Sequence, residues 1–135
     1  MKKEEIELMK SSWGWVLQNK ADAGKLFYEN LFKVAPTVRP LFDNDISNQA
    51  TKLVSTVTFV VQHLNDFSLI KEQIRELGRK HKGYGAKPEY YPIVAEQLIY
   101  TIKQGMGDRF TPETEAAWNK GLSTIAQSMI EAAGK

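Results

Sequence analysis

Cysteine is absent from this 135-residue chain, and with it go disulfides, thiolate metal sites, iron–sulfur clusters and thioether-linked cofactors. Any metal must therefore rest on nitrogen or oxygen ligands. Long apolar runs are missing as well. No stretch approaches the roughly 20 apolar residues that cross a bilayer, and the N-terminal MKKEEIELMK lacks the apolar centre of a secretory signal. The expectation is a cytoplasmic protein with no membrane partner. Charge of one sign is scarce: 18 basic residues stand among 16 acidic ones, for a net +2, so no nucleic-acid partner is expected. Period-two alternation, the mark of a half-buried strand, is sustained nowhere.

What is present is the composition of a soluble globular protein, 42% hydrophobic and 25% charged. The length suits one domain over residues 1–135, without repeat, linker or low-complexity tract. Apolar residues recur at spacings of three and four, which predicts an all-α fold. Ile6, Met9, Trp13, Val16 and Leu17 mark a first amphipathic helix. Asp22 starts a second, carrying Phe27, Tyr28, Leu31 and Phe32 until Pro36 stops it. Residues 36–45 read as a short helical corner and a loop ending in Asp-Asn-Asp. A third helix, capped by Ser47 or Asn48, runs to Leu64 with Leu53, Val57, Val60, Val61 and Leu64 inward. Asn65 and Asp66 interrupt, and Ser68 caps the next helix. There Ile70, Ile74, Leu77 and His81 fall on one stripe, and Gly83 and Gly85 close it. Pro88 fits the first turn of a fifth helix whose buried side is Tyr91, Val94, Leu98 and Ile102, ended by Gly105 and Gly107. Thr111-Pro112 opens a last helix with Trp118, Leu122, Ile125, Met129 and Ile130 inward.

Only two histidines exist. His81 points where leucines point, whereas His63 sits beside the apolar face of the third helix. A lone histidine on an apolar face is either a core residue bonded to a backbone carbonyl or a ligand. Gln49, four residues before Leu53, places an amide on the first turn of an apolar face, where burial is costly without a partner. Tyr28 brings a phenol to the face of Leu31 and Phe32. One imidazole, one amide and one phenol on three helices fit a shared pocket for a polar guest. They fit equally a helical interaction module in which the three groups bond one another or the backbone. Paired catalytic carboxylates, a Ser-His-Asp arrangement, a phosphate loop and the i, i+4 zinc spacing are all missing.

Four segments carry a family resemblance. FYENLFKVAPTVRPLF (residues 27–42) and YYPIV (90–94) resemble bacterial single-domain haemoglobins and flavohaemoglobin globin domains. ELGRKHKGYGAK (76–87) and FTPETEAAW (110–118) are similar to neuroglobin. Together, in this order, they resemble the globin family across nearly the whole chain, which implies a helical sandwich around a haem pocket with haem b as cofactor. By the resemblance His81 is the proximal iron ligand and Phe42 packs against the haem. Gln49 takes the distal position that is histidine in many globins, Tyr28 is the second distal polar residue, and Leu53 stands over the iron. Val57, Leu77, Val94 and Leu98 match apolar pocket positions, and Lys52 reaches a haem propionate at the rim. Tyr91 matches the tyrosine of the flavohaemoglobin proximal site. The glutamate paired with it there falls on Ala133 here, with Glu131 two residues earlier on another helix face, which weakens the case for a peroxidase-like role.

The implied function is reversible binding of O2, and of NO and CO, at a pentacoordinate iron, for oxygen storage, transport or scavenging by a monomer or weak homodimer. Glutamine binds iron poorly, so no internal sixth ligand is expected, unlike neuroglobin with its distal histidine. One alternative is dioxygenation of nitric oxide to nitrate with electrons from an external reductase. Others are a haem-based gas sensor and a haem-free sensor or scaffold, the latter disfavoured by His81 and Phe42. The connection from Phe42 to Gln49 is short for a globin.

Overall fold

The computed structural model describes residues 2–42 and 45–134. Among the described residues there are six α-helices, α1 (Lys3–Gln18), α2 (Lys20–Val34), α3 (Ile46–Gln62), α4 (Lys71–Gly83), α5 (Tyr90–Met106) and α6 (Pro112–Ala133), with 3-10 segments at Pro36–Leu41 between α2 and α3, Leu64–Leu69 between α3 and α4, and Gly107–Arg109 between α5 and α6. Among the described residues there is no strand, and the chain is all-α. Asp43 and Asn44, part of the loop and of the short Phe42 to Gln49 connection, lie outside the described residues.

Several boundaries differ from the sequence expectation. The cap of α3 is Asp45, whose carboxylate accepts from the Asn48 N–H at 3.1 Å. A carboxylate there serves both the orphan donor and the positive end of the helix dipole, so Ser47 and Asn48 enter the helix instead. Ser68 lies inside the 3-10 segment, and α4 starts at Lys71 with no side-chain cap. Non-helical backbone at Asp66 turns the chain so that Ile70 and Ile74 enter the core, and burial sets the start of α4. Pro88 precedes α5 in a turn where the Tyr90 and Tyr91 N–H groups donate to Lys87 and Pro88 carbonyls at 2.9 and 3.2 Å. Asp22 falls in the first turn of α2, which begins at Lys20. Leu17 is 38% exposed, because Trp13 and Val16 occupy the inward face of α1. The Thr111 hydroxyl caps α6 as expected, accepting from the Thr114 N–H at 3.1 Å.

The core is built on Trp13 and Trp118, whose rings sit 5.7 Å apart, together with Met9, Phe27, Leu31 and Ile102. Each indole N–H is satisfied across helices. Trp118 donates to the Ser12 hydroxyl at 2.7 Å, which in turn donates to the Leu8 carbonyl, and Trp13 donates to Thr58 at 2.8 Å. These bonds tie α1 to α6 and α3 while leaving no buried donor unpaired there.

A second apolar cluster holds Val60, Ile70, Ile74 and Met129, bordered by Leu77, Tyr91 and Ile125. It exists because α4 and α6 approach closely at Gly78: any Cβ built there would strike the main chain of Met129. Among the described residues α4 packs mainly on α6 and on the 3-10 segment before it, and makes no comparable packing with α3 or α5. Leu53 and Val57 on α3, Leu77 on α4, and Tyr91 and Val94 on α5 are only half-buried.

Candidate functional site

His81 sits at the end of a graded stripe. Ile70 and Ile74 are buried, Leu77 and His81 half-buried, so α4 carries its imidazole outward from the core. The His81 Nδ1 lies 2.8 Å from the Leu77 carbonyl oxygen. A carbonyl only accepts, so Nδ1 carries the proton and Nε2 presents a lone pair. The backbone-bonded and ligand readings of this histidine are thus compatible, one nitrogen serving each. The rings of Tyr84 and Tyr91 flank it at 6.2 and 6.3 Å. Burial pushes the Tyr91 phenol pKa up, which keeps it neutral.

On the α2–α3 side, Tyr28 is 3% exposed and its hydroxyl donates to the main-chain carbonyl of Gln49 at 3.2 Å. Burial pushes its pKa up to about 12. Its ring meets Phe42 edge-on at 5.5 Å, and Phe32 at 5.7 Å, while Phe32 meets Phe42 at 5.7 Å. The Arg39 guanidinium lies 4.8 Å over Phe32, a cation–π contact that ties the 3-10 corner to α2. Tyr28, Phe42 and the start of α3 are thus brought together. Gln49 is half-buried on the first turn, Leu53 and Val57 follow one and two turns on, and Lys52 is exposed. Val94 is half-buried on α5, and Leu98 is buried in the main core.

His63 terminates α3, with Nδ1 2.8 Å from the Phe59 carbonyl oxygen and its ring against Phe59. Ala133 contributes its carbonyl to Lys82 Nζ at 2.9 Å, while Glu131 accepts from Gln127. Among the described residues no carboxylate is hydrogen-bonded to His81 or Tyr91. Phe32 shares the face of Tyr28 as its spacing predicts, but its contact with Phe42 was not legible in the sequence. Tyr84, an exposed turn residue, offered no periodic signal.

Among the described residues no cluster of three or more His, Asp or Glu side chains could hold a metal. A metal at His81 must bring most of its own ligands, as a porphyrin does. A half-buried imidazole whose Nδ1 is held by the Leu77 carbonyl and whose Nε2 is uncommitted fits that group.

Residues 25–129 match the family model for globins. The chain belongs to the globin family. It is 30% identical over 128 residues to a flavohemoprotein of Bacillus subtilis, a match covering 93% of this chain but only 32% of that longer protein. It is 27% identical to neuroglobin of Tetraodon nigroviridis over 91% of this chain and 86% of that one. Its fold is shared with a bacterial globin from Campylobacter jejuni, at TM-score 0.85 and 24% identity over 98% and 96% of the two chains. It is shared also with a hexacoordinated heme protein from an anhydrobiotic tardigrade, at TM-score 0.87 and 18% identity over 100% and 96%. Family membership supports haem binding as this globin's general activity. No helix among its described residues is long and apolar enough to cross a membrane.

Proposed function

We propose that this globin holds haem b through Nε2 of His81 and binds O2 reversibly on the opposite face, for storage, delivery or scavenging. The observation that carries the reading is the Leu77 carbonyl bond on the apolar stripe of α4, which commits Nδ1 of His81 and leaves Nε2 available to a metal. Haem supplies the iron on which a diatomic gas, O2 or also NO and CO, can bind. The chain's residues do the rest. His81 anchors and orients. Phe42, Leu53, Val57, Leu77, Val94 and Leu98 supply apolar wall, which limits the water that would compete for polar contacts. Lys52, exposed on α3, can meet a propionate at the rim. Tyr28 and Gln49 offer hydrogen bonds to the outer atom of O2.

The Tyr28 proton has a competing acceptor in the Gln49 carbonyl. Its net gain on meeting O2 is the difference between two hydrogen bonds, so the Gln49 amide becomes the less encumbered donor. In this proposal the iron would have no internal sixth ligand from the distal residues, since a glutamine oxygen or amide is a poor iron ligand.

Dioxygenation of nitric oxide with an external reductase is the second reading. Tyr91 beside His81 favours it, and so does the similarity to a flavohemoprotein. The missing carboxylate partner weighs against it. Spectra of the purified, haem-loaded protein decide the first reading: ferric, ferrous and O2-exposed forms should each show a distinct Soret band. Absence of any Soret band refutes it. Nitric oxide consumption with a reductase supplied tests the second.

A further inference from the structure

The chain is nearly neutral as a whole, yet residues 77–88 are not. They hold Arg79, Lys80, Lys82 and Lys87 with no acidic residue among them. We propose that this segment, the end of α4 and the turn after it, is the docking face for a one-electron carrier protein whose own contact surface is acidic. The inference rests on the haem reading above, because a gas-binding iron that oxidises must be reduced again. One electron leaves the carrier and ferric iron becomes ferrous, with no bond or proton exchanged.

Three observations support the assignment. The first is uncompensated charge. Arg79 is neutralised by Glu72 and Glu76, at 2.6 and 3.1 Å. Among the described residues Lys80 and Lys87 have no ion-pair partner, and both are exposed. An exposed, unpaired charge steers and orients an oppositely charged protein. The second is preorganisation. Lys82 is pinned to the Ala133 carbonyl at 2.9 Å. Gly85 holds φ +94°, a backbone that other residues rarely adopt, and the turn after α4 is held by the Gly85 and Ala86 N–H groups donating to the Lys82 and His81 carbonyls at 3.0 and 2.9 Å. The third is an aromatic anchor. Tyr84 is 66% exposed at the centre of the segment, and its ring lies 6.2 Å from that of His81. Exposed tyrosine is a residue that protein interfaces favour. Lys80 and Lys82 also flank His81 in sequence, so a protein seated here is adjacent to the iron ligand.

The test uses the haem-loaded protein and flavodoxin, an acidic one-electron carrier, titrated by NMR at about 0.01 M ionic strength, where screening is weak. Lys80→Glu/Lys87→Glu is compared with Lys25→Glu/Lys33→Glu on α2, a double variant with the same change in net charge. The first pair should weaken flavodoxin binding about tenfold or more, and slow haem reduction in parallel, while the second has a much smaller effect. Soret bands should stay at the parent position in both. Equal loss in the two variants would reduce the effect to net charge and overturn the proposal, as would no binding by the parent. Tighter binding of duplex DNA than of flavodoxin through Lys80 and Lys87 would reassign the face and overturn it too. A parent with no Soret band would sink the haem reading first, whereas a normal Soret band with lysine-independent binding sinks this inference alone.

Discussion

Replacing Gly78 by alanine should destabilise this globin although the substitution improves helix propensity. Inside a helix, glycine to alanine ordinarily adds about 1 kcal/mol of stability. At position 78 the new methyl would lie 2.6 Å from the Met129 Cα and against the rest of that residue's main chain. Carbon atoms in contact prefer about 3.5–4.0 Å, so α4 must retreat from α6 by about 1 Å. Main chain cannot rotate aside as a flexible side chain can. Overpacking of this kind costs about 1–3 kcal/mol and can exceed that. After the propensity gain of about 1 kcal/mol we expect a net loss of up to about 2 kcal/mol, or up to roughly 8 °C in Tm. The haem should also be lost faster, since His81 lies one turn beyond the displaced contact. Thermal unfolding of the apo and haem-loaded forms, with haem transfer to a scavenger, measures both effects. Gly14→Ala in α1 is the control, because a Cβ there meets nothing within 4 Å; it should be neutral or stabilising. If Gly78→Ala behaves like Gly14→Ala, the close approach of α4 and α6 is wrong.

Other expected outcomes follow the same reasoning. Gln49→Leu should raise the O2 off-rate about three- to tenfold, the worth of one hydrogen bond. Tyr28→Phe should raise it less, because the phenol gives up the Gln49 carbonyl to reach O2; stopped-flow displacement decides, and an unchanged rate removes the residue from the mechanism. The buried Tyr28 phenol, with its pKa pushed up to about 12, keeps its proton in the folded state after the unfolded chain has lost it near pH 10. Stability should be intact below pH 10 and fall by about 2–3 kcal/mol as pH rises to about 12, and denaturation of Tyr28→Phe should show a shallower alkaline decline. Thr111→Ala removes the hydroxyl that caps α6 and should cost about 1 kcal/mol by urea denaturation.

Local chemistry was legible in the sequence where the decisive partner lies within a turn. Thr111-Pro112 announces α6 because a cap reaches only three residues. The Ile70, Ile74, Leu77, His81 stripe is equally plain, since helical period alone aligns it. Legibility ended where a partner from elsewhere in the fold decides. Ser68 looked like a cap, but burial of Ile70 and Ile74 set the start of α4. Leu17 looked inward until Trp13 and Val16 filled that face. Nothing near Gly78 in sequence reveals Met129 pressed against it, and nothing near Tyr28 reveals that its hydroxyl meets the carbonyl of Gln49.

The most direct measurement is the coordination spectrum of His81→Gly, purified with haem, before and after adding free imidazole. The account predicts that the variant loses haem or the signature of nitrogen ligation, and that imidazole restores the parent spectrum by filling the space left by the side chain. A variant that retained full haem and an unaltered spectrum without imidazole would contradict it.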